Sequence, residues 1–268
     1  MIRIQDITLG QYAHRESVIH RLDPRTKILM SFFLMMILLI TKRLEVIVLF
    51  VVAVPVLFIV SKLGLGLVLR NCRAFWGLFL LTFLIHGLFT PGKILFKIPM
   101  VSVFITQEGV YLGFVYMIRI GILIVLANCL TLTTSPMSLT DAIERFLTPF
   151  RRIGIPAHEI AMMLSISLRF IPILIDEAER IRRAQVSRGS QFDGNILRKL
   201  RSIVPLIIPL FLSTFRRAHD LALAMDARCY QGGARRTNYY VLRFRRIDGI
   251  ASLTVFLFSI PVVILGYR

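Results

Sequence analysis

The chain has 268 residues, 56% of them hydrophobic, with a mean hydropathy of +0.73 and a formal net charge of +18. Soluble domains of this length are rarely so apolar. The basic residues are clustered and no nucleic-acid motif accompanies them, which favours the positive-inside rule over nucleic-acid binding. Cys72, Cys129 and Cys229 are far apart and form no CxxC pair, so neither a disulfide framework nor a zinc site is expected. Composition therefore predicts a polytopic integral membrane protein.

The first half of the chain predicts four membrane spans after a polar lead-in that shows no signal-peptide cleavage site. Asp23 is suited to cap a helix and Pro24 to occupy its first turn. The apolar runs that follow approach the roughly 20 residues that cross a bilayer core. The spans are predicted over 26–41, 44–61, 74–90 and 109–134, with a loop and a short interfacial turn over 91–108.

Glycines in the fourth span and the residues just after it carry further structural signals. Gly109, Gly113 and Gly121 are spaced for close helix–helix approach in lipid.

Ser138 is then expected to start an amphipathic helix over 139–150. Its apolar residues recur at three- and four-residue steps, namely Leu139, Ile143, Phe146, Leu147 and Phe150.

Two longer helices are predicted over 157–188 and 196–228, the second interrupted by Pro205 and Pro209. A polar connector over 232–246 leads to a last span over 247–266. The expected fold is all-α, a polytopic membrane protein with a helical cytoplasmic coupling domain. The expected domains are 1–137 with the lead-in and four membrane helices, 138–246 with the coupling helices, and 247–268 with the C-terminal membrane helix.

The distribution of Lys and Arg predicts the topology. The lead-in, the turn at 61–73 and the region 138–246 are basic, and four initial spans put all of them on one side. We expect that side to be the cytoplasm, so the N-terminus and the coupling region lie inside a bacterial cytoplasmic membrane. Whether 157–174 and 203–215 also enter the bilayer stays open at this stage.

Motifs for catalysis are weak or incomplete. The run from Gly87 to Lys93 matches GxxxxGK, but Ile94 replaces the Ser or Thr that a phosphate loop needs for Mg²⁺. His86 and Arg119 lie in predicted spans, where structural roles are favoured, and Arg119 is expected to pair with Glu108 or to extend towards the interface. We therefore expect no catalytic, cofactor-binding or metal-binding residue in this chain.

A small residue, an arginine and another small residue occur in series at the ends of both long helices. The first set is Ser187, Arg188 and Gly189, and the second is Ala227, Arg228 and Cys229. Small neighbours leave each guanidinium free to project into a partner, where its planar donors suit carboxylates and carbonyls. The alternative is a cation that favours the negative end of a helix dipole. The duplication favours binding, although Cys229 in place of glycine argues against a positive φ there.

These features resemble the transmembrane T component of energy-coupling factor (ECF) transporters, bacterial ABC-type importers of vitamins and metal ions. The N-terminal signature of that family is similar to Gly10–Tyr12 with Ser17–Lys27, and its coupling helices are similar to 169–189 and 217–230. Its Ala-Arg-Gly motif is similar to the two sets around Arg188 and Arg228. The resemblance implies that two cytoplasmic ATP-binding subunits bind these residues and that a membrane-embedded S component binds the substrate.

The resemblance also suggests a use for the apolar faces of the coupling helices. Leu139, Ile143, Phe146, Leu147, Met162 and Met163 would form a platform for the S component, with ordinary burial as an equal alternative. The rival functions are a self-contained secondary transporter and an integral membrane enzyme. The first would show internal repeats and polar residues at mid-membrane, and the second clustered ligands or acid–base groups. Membrane lipid is the remaining expected partner.

Overall fold

The computed structural model describes residues 15, 17–41, 43–64, 66, 72–97, 104–154, 156–190, 196–232 and 244–267. Helices account for most of them, and the chain is an all-α polytopic membrane protein. In chain order the helices are α1 (Pro24–Ile40), α2 (Leu44–Ser61), α3 (Trp76–Phe89), α4 (Gln107–Thr133), α5 (Pro136–Leu147), α6 (Ala157–Ser187), α7 (Ile196–Ala227) and α8 (Arg246–Tyr267). The predicted Gly10–Tyr12 part of the N-terminal signature lies outside the described residues.

Within the described residues, four helices are long and apolar enough to cross a membrane, namely α2, α4, α6 and α8. Three of them match predicted spans, and α6 is a helix whose entry into the bilayer the sequence left open. The α1 helix has 17 residues, and α3 is a shorter apolar helix of 14. Many apolar side chains of these helices are exposed, including Ile59 of α2 at 76% and Phe89 of α3 at 79%. Such continuous apolar surface is expected where lipid is the surrounding solvent.

The helix starts and ends follow local chemistry. Asp23 caps α1 as predicted, since its Oδ1 accepts the Arg25 N–H at 2.9 Å, with Pro24 in the first turn. The predicted Ser138 cap is wrong, because Ser135 Oγ accepts the Ser138 N–H at 3.2 Å and Pro136 is the first helical residue. The Ser-Pro pair, with proline suited to the first helical position, was the signal for this earlier start.

The amphipathic helix predicted over 139–150 ends earlier, at Leu147, and a 3₁₀ helix follows over Thr148–Ile153. Pro149 explains the change, because it has no N–H to continue the α-helical bonding. Gly154, with φ of +89°, closes the segment as predicted. The expected loop over 91–108 contains a short antiparallel hairpin of β1 (Ile94–Lys97) and β2 (Phe104–Thr106), with Ile94 opposite Thr106.

The described chain forms two compact units. The first, which we call the membrane unit, comes from Gly10–Leu139 and Leu242–Arg268, and the second, the coupling unit, comes from Thr140–Val241. The core of the membrane unit joins α1, α2, α4 and α8 through Leu38, Ile47, Phe50, Leu126 and Val262. The rings of Phe50 and Phe258 meet edge to face at 5.4 Å.

Close packing of α3 on α4 uses two of the three predicted glycines. A Cβ on Gly109 would lie 2.6 Å from His86 O, and one on Gly113 would lie 3.1 Å from Phe83 O. The position of Gly109 therefore requires glycine for the two backbones to approach, and at Gly113 a side chain would fit only if Phe83 moved by a few tenths of an ångström. The same prediction is wrong for Gly121, where a Cβ would meet nothing within 4 Å.

Candidate functional site

The first candidate arginine lies where α6 ends. Arg188 is the C-cap residue, and the Gly189 N–H beyond it donates to Val186 O at 2.9 Å. The Ser190 N–H donates to Gln185 O at 3.0 Å. These two bonds define a Schellman motif, which needs a left-handed residue after the cap, and Gly189 has φ of +87°. The motif fixes Arg188 at an abrupt helix end.

The end of α7 repeats this geometry. The Cys229 N–H donates to Asp226 O at 2.9 Å, and the Tyr230 N–H donates to Met225 O at 3.0 Å. Arg228 therefore occupies the same cap position in α7 that Arg188 occupies in α6. The two short sequence motifs share a backbone conformation as well as a residue pattern.

Cys229 adopts the conformation that its side chain disfavours. The sequence argued against a positive φ at this residue, and that expectation is wrong, because φ is +53°. A side chain in the left-handed region costs roughly 1–2 kcal/mol. The two Schellman bonds hold the residue there, so the geometry of the cap is retained despite the missing glycine.

All six residues of the two predicted ATPase-binding sets are exposed: Ser187, Arg188, Gly189, Ala227, Arg228 and Cys229. Among the described residues, neither the Arg188 nor the Arg228 guanidinium has a recorded hydrogen bond or ion pair. A Cβ on Gly189 would also meet nothing within 4 Å. The N–H donors of each guanidinium are thus available to a binding partner, and the neighbouring side chains are too small to shield them.

Other arginines of α6 and α7 are paired within the coupling unit. Arg182 donates to both carboxylate oxygens of Glu179, at 3.0 and 3.2 Å, and Arg183 donates to the same carboxylate at 3.2 Å. Arg217 of α7 reaches Glu177 of α6 at 3.4 Å. Glu177 and Glu179 of α6 therefore pair with several arginines along the two helices, but not with Arg188 or Arg228.

The Glu177–Arg217 pair joins equivalent points of the two helices. Arg188 follows Glu177 by eleven residues, and Arg228 follows Arg217 by eleven. At a rise of about 1.5 Å per residue, each cap lies about 16 Å along its own helix from the pair. The coupling unit thus has two arginine C-caps with the same backbone geometry. Each lies the same number of residues along its helix from the contact between Glu177 and Arg217.

The predicted platform residues are only partly covered. Ile143 is 37% exposed and Met163 is 55% exposed. Leu139, Phe146, Leu147 and Met162 are half-buried. The fully buried positions of α5 are instead Thr140 and Ala142. The predicted face is therefore partly accessible in the described chain.

A second apolar stripe lies on α7, where the sequence analysis placed no platform residue. Its members recur at three- and four-residue steps and are 54–62% exposed: Val204, Ile207, Ile208, Phe211 and Phe215. The rings of Phe211 and Phe215 contact each other at 4.6 Å. The helical spacing of these residues was the signal that could have identified the stripe.

A polar link between α5 and α6 was also missed. His158 Nδ1 lies 2.9 Å from Glu144 Oε1. Both side chains are largely covered, with 23% and 18% exposed. The contact holds the start of α6 against α5, and nothing in the spacing of the two residues along the chain indicates it.

The family signature at Ser17–Lys27 packs into a buried polar cluster of the membrane unit. Asp248, only 2% exposed, accepts the Asp23 N–H on Oδ1 and the Arg245 N–H on Oδ2, each at 2.7 Å. Lys27 donates from Nζ to Thr133 O at 2.8 Å. The cluster ties the starts of α1 and α8 to the end of α4. Sequence reasoning quoted Asp23 and Lys27 but missed Asp248.

Arg119 has a structural role, as the sequence favoured, but with other partners. Its guanidinium donates to Thr41 O and lies 5.0 Å above the Tyr116 ring. His86 stacks on the same ring at 4.5 Å. Glu108, the partner suggested by the sequence, instead accepts the Lys93 N–H at 2.6 Å.

The GxxxxGK run has the wrong surroundings for a phosphate loop. It covers the last turn of α3 and the residues before β1, so a helix precedes it and a strand follows it. A phosphate loop has the reverse order. Within the part of the chain that the structure describes, no group of three or more His, Cys, Asp or Glu residues could hold a metal ion.

Comparison with known proteins gives a consistent result. The protein family described as "Cobalt transport protein" (CbiQ) matches residues 15–240. The energy-coupling factor transporter transmembrane protein EcfT of Acidaminococcus fermentans is 45% identical over 256 residues, covering 94% of each chain. Proteins of the same name from Thermosediminibacter oceani and Lactococcus lactis subsp. cremoris are 43% and 37% identical, covering 96–98% of the chains.

The fold and the spans define an all-helical, multi-pass membrane protein, and the matches make it a component of a membrane transporter. The extent of these matches makes the assignment more specific. The chain belongs to the EcfT family of energy-coupling factor transporter transmembrane proteins.

Proposed function

We propose that this chain couples two cytoplasmic ATP-binding subunits to a substrate-binding S component during uptake of a vitamin or metal ion. The observation that carries the proposal is the duplicated cap, in which Arg188 and Arg228 share one backbone geometry. Two like sites on one chain suit two ATP-binding subunits. The absence of a recorded partner for either guanidinium among the described residues supports the same role.

The chemistry of each contact follows from the guanidinium. Its planar set of donors binds carboxylates and main-chain carbonyls, and such charge-assisted bonds are among the strong ones. Removing one side chain of a desolvated pair leaves the other unpaired, which costs about 1–3 kcal/mol or more for a charged group. Loss of both arginines is therefore expected to abolish binding of the ATP-binding subunits rather than weaken it slightly.

The proposed platform for the S component is the half-exposed face with Leu139, Ile143, Phe146, Leu147, Met162 and Met163. The apolar stripe on α7 is a second exposed surface of the coupling unit that could take part. These surfaces have few charges, so they suit a membrane-embedded partner. The proposed orientation puts the N-terminus and the coupling unit in the cytoplasm of a bacterial cell, since the basic residues cluster there.

A pull-down from native membranes tests the coupling role. The double variant Arg188→Ala/Arg228→Ala should insert normally but recover no ATP-binding subunits. Arg180→Ala is the matched control, since its side chain is 79% exposed and its pair with Glu177 is long, at 3.8 Å. Unchanged recovery with the double variant would refute the proposal, and transport by the purified chain alone would favour a self-contained secondary transporter.

Labelling of single cysteines tests the orientation separately. In a cysteine-free background, Lys93→Cys should react with an impermeant thiol reagent on intact cells, and Ser190→Cys should react only after lysis. Both residues lie outside the helices, and Lys93 is exposed. The reverse pattern would mean that the orientation is inverted.

A further inference from the structure

The membrane unit contains an apolar cavity of about 460 Å³ between α1, α2, α4 and α8. This volume is within the range of about 300–1,000 Å³ that small-molecule sites occupy. Its back wall consists of buried side chains, including Leu34, Leu126 and Cys129. Its floor is the edge-to-face pair of Phe50 and Phe258. The coupling role described above does not use this space.

The cavity is elongated along the helices. The residues that α8 contributes run from Ile247 to Phe258, eleven residues apart, which is about 16 Å along a helix. That is roughly half of a bilayer hydrocarbon core of about 30 Å, or the depth of one leaflet. A chain the length of one acyl tail fits this dimension.

One side of the cavity opens between α2 and α8. The lining residues there are exposed, with Val56 at 56%, Val60 at 44% and Ile250 at 63%. Both helices are long and apolar enough to cross a membrane. The opening therefore faces the bilayer, so lipid tails are the molecules that reach it first.

The end of the cavity nearest the start of α1 carries a hydrogen-bond donor. Lys27 lines it and gives two N–H groups to His20 O and Thr133 O, at 3.2 and 2.8 Å. For the third N–H, the described residues supply no recorded acceptor. Asp23 and Asp248 belong to the same cluster, so Lys27 does not create a net positive charge. Its third N–H suits the ester carbonyl at the start of an acyl tail.

Two exposed cations lie at the same end. Lys62 follows the lining residue Val60 by two positions, and Arg15 donates from Nη1 to Lys62 O at 2.7 Å. Both side chains are exposed. Paired cations at the edge of a membrane attract anionic headgroups.

We propose that this cavity binds one acyl tail of an anionic phospholipid. The ester oxygen lies at Lys27, and the phosphate of the headgroup lies at Arg15 and Lys62. The tail extends along α8 to the Phe50–Phe258 floor. The lipid would fill a space between four helices of the membrane unit and hold them at their observed separation.

Native mass spectrometry of the detergent-solubilised full-length chain tests the proposal, with phosphatidylglycerol and phosphatidylcholine as probes. The wild type should retain phosphatidylglycerol at least tenfold more than phosphatidylcholine. Ala53→Phe and Ala251→Phe fill the cavity and should each reduce retention at least tenfold. Val52→Phe adds the same ring outside the cavity, at a side chain that is 63% exposed, and should retain the lipid. Elution as a single species from gel filtration shows which filled variants are folded.

The headgroup contact has its own pair of variants. Arg15→Gln/Lys62→Gln should abolish the preference for phosphatidylglycerol, whereas Arg43→Gln, an exposed cation at the other end of α2, should keep it. Equal retention by the cavity-filling variants and Val52→Phe would overturn the site. Equal binding of the two lipids by the wild type would overturn the anionic headgroup.

A third experiment determines whether a lipid or a protein occupies the cavity opening, and it does not depend on the variants that fill the cavity. A benzophenone amino acid at Ile250, at the cavity opening, should crosslink to phospholipid in native membranes. A polypeptide adduct at that position would mean that a partner helix covers the opening, and the lipid assignment would fall.

Discussion

The membrane unit contains a cluster of charged side chains that is buried and bonded to backbone groups, whereas glutamates and arginines along α6 and α7 of the coupling unit pair with one another near the surface. Asp248 and Lys27 are 2% and 7% exposed, and each joins the ends of different helices. The pairs formed by Glu177 and Glu179 instead involve arginines with 36–79% of their side chains exposed. Pairs of the exposed kind contribute only about 0–1 kcal/mol each.

This difference suggests what each unit needs from its surroundings. Buried donors and acceptors permit few alternative arrangements, because an unmade bond in the interior is costly. Exposed ion pairs and half-covered apolar faces define an arrangement only weakly. We infer that the membrane unit sets its own geometry and that bound partners complete the geometry of the coupling unit. Four experiments, from the largest expected effect to the smallest, test this contrast.

The largest effect is expected for Asp248→Ala in the membrane unit. It removes the acceptor from the Asp23 and Arg245 N–H groups and from Thr26 Oγ1. The donors of Asp23 and Thr26 are buried, and each costs roughly 1–3 kcal/mol when it is left unpaired. We therefore expect a loss of about 3 kcal/mol. That loss should lower the unfolding midpoint of the detergent-solubilised chain by about 6–12 °C.

Two controls accompany this variant. Asp248→Asn keeps one acceptor oxygen and should give an intermediate midpoint. Ser252→Ala removes only an exposed hydroxyl that donates to Asp248 O at 2.9 Å and should change little. A midpoint for Asp248→Ala equal to that of the wild type would show that the cluster does not stabilise the membrane unit.

Ile143→Glu should separate the two binding functions of the coupling unit. If the half-exposed face is a platform, a carboxylate there must be desolvated when the S component binds, and this is costly. We expect at least tenfold less S component in a pull-down, with the ATP-binding subunits still recovered. Ile153→Glu is the control, because Ile153 is 76% exposed and lies outside the predicted face.

Loss of the Ile143→Glu protein itself from the membrane fraction would contradict this assignment. In that case the face would be part of the folded core, and ordinary burial would be the correct interpretation of the apolar pattern at this position.

Local signals in the sequence predicted most of the helices. The apolar runs, the Asp23–Pro24 start and the Gly154 stop depend on neighbouring residues, and the structure confirms all three. Contacts between distant residues were not accessible in this way. Asp248 meets the start of α1 from 225 residues away, and no periodicity or spacing encodes that approach.

The candidate site also has features that the sequence predicted and features that it did not. The position of both arginines at helix ends was visible in the sequence, because small residues and arginine close each helix. The Schellman geometry at Cys229 was not visible in the sequence, because the conformational preference of cysteine argues against a φ of +53°. The hydrogen bonds of a whole helix end outweigh the preference of one residue.

Cys229→Gly should therefore stabilise the end of α7 slightly. Glycine adopts a positive φ without the roughly 1–2 kcal/mol that a side chain costs, although it loses more chain entropy on folding. We expect a net gain of about 0.5–1 kcal/mol. Hydrogen exchange at the amides that close the motif, Cys229 and Tyr230 in the wild type, should slow about two- to fivefold. Gly189→Ala is the reciprocal variant and should speed exchange at Ser190, and an increase in exchange with Cys229→Gly would contradict the strain argument.

The smallest effect is expected where the two coupling helices meet. Glu177 and Arg217 lie 3.4 Å apart with 18% and 40% of their side chains exposed, so solvent screens their attraction. A double-mutant cycle with Glu177→Gln and Arg217→Gln should give a coupling free energy of about 0.5 kcal/mol, within the range for exposed pairs. That value should fall further in 0.5 M salt, because the screening length shortens to a few ångströms. A coupling above about 2 kcal/mol would place this pair with the buried contacts of the membrane unit, and the contrast between the two units would no longer hold. A coupling that rises only when the ATP-binding subunits are present would support the inference that bound partners complete the geometry of this unit.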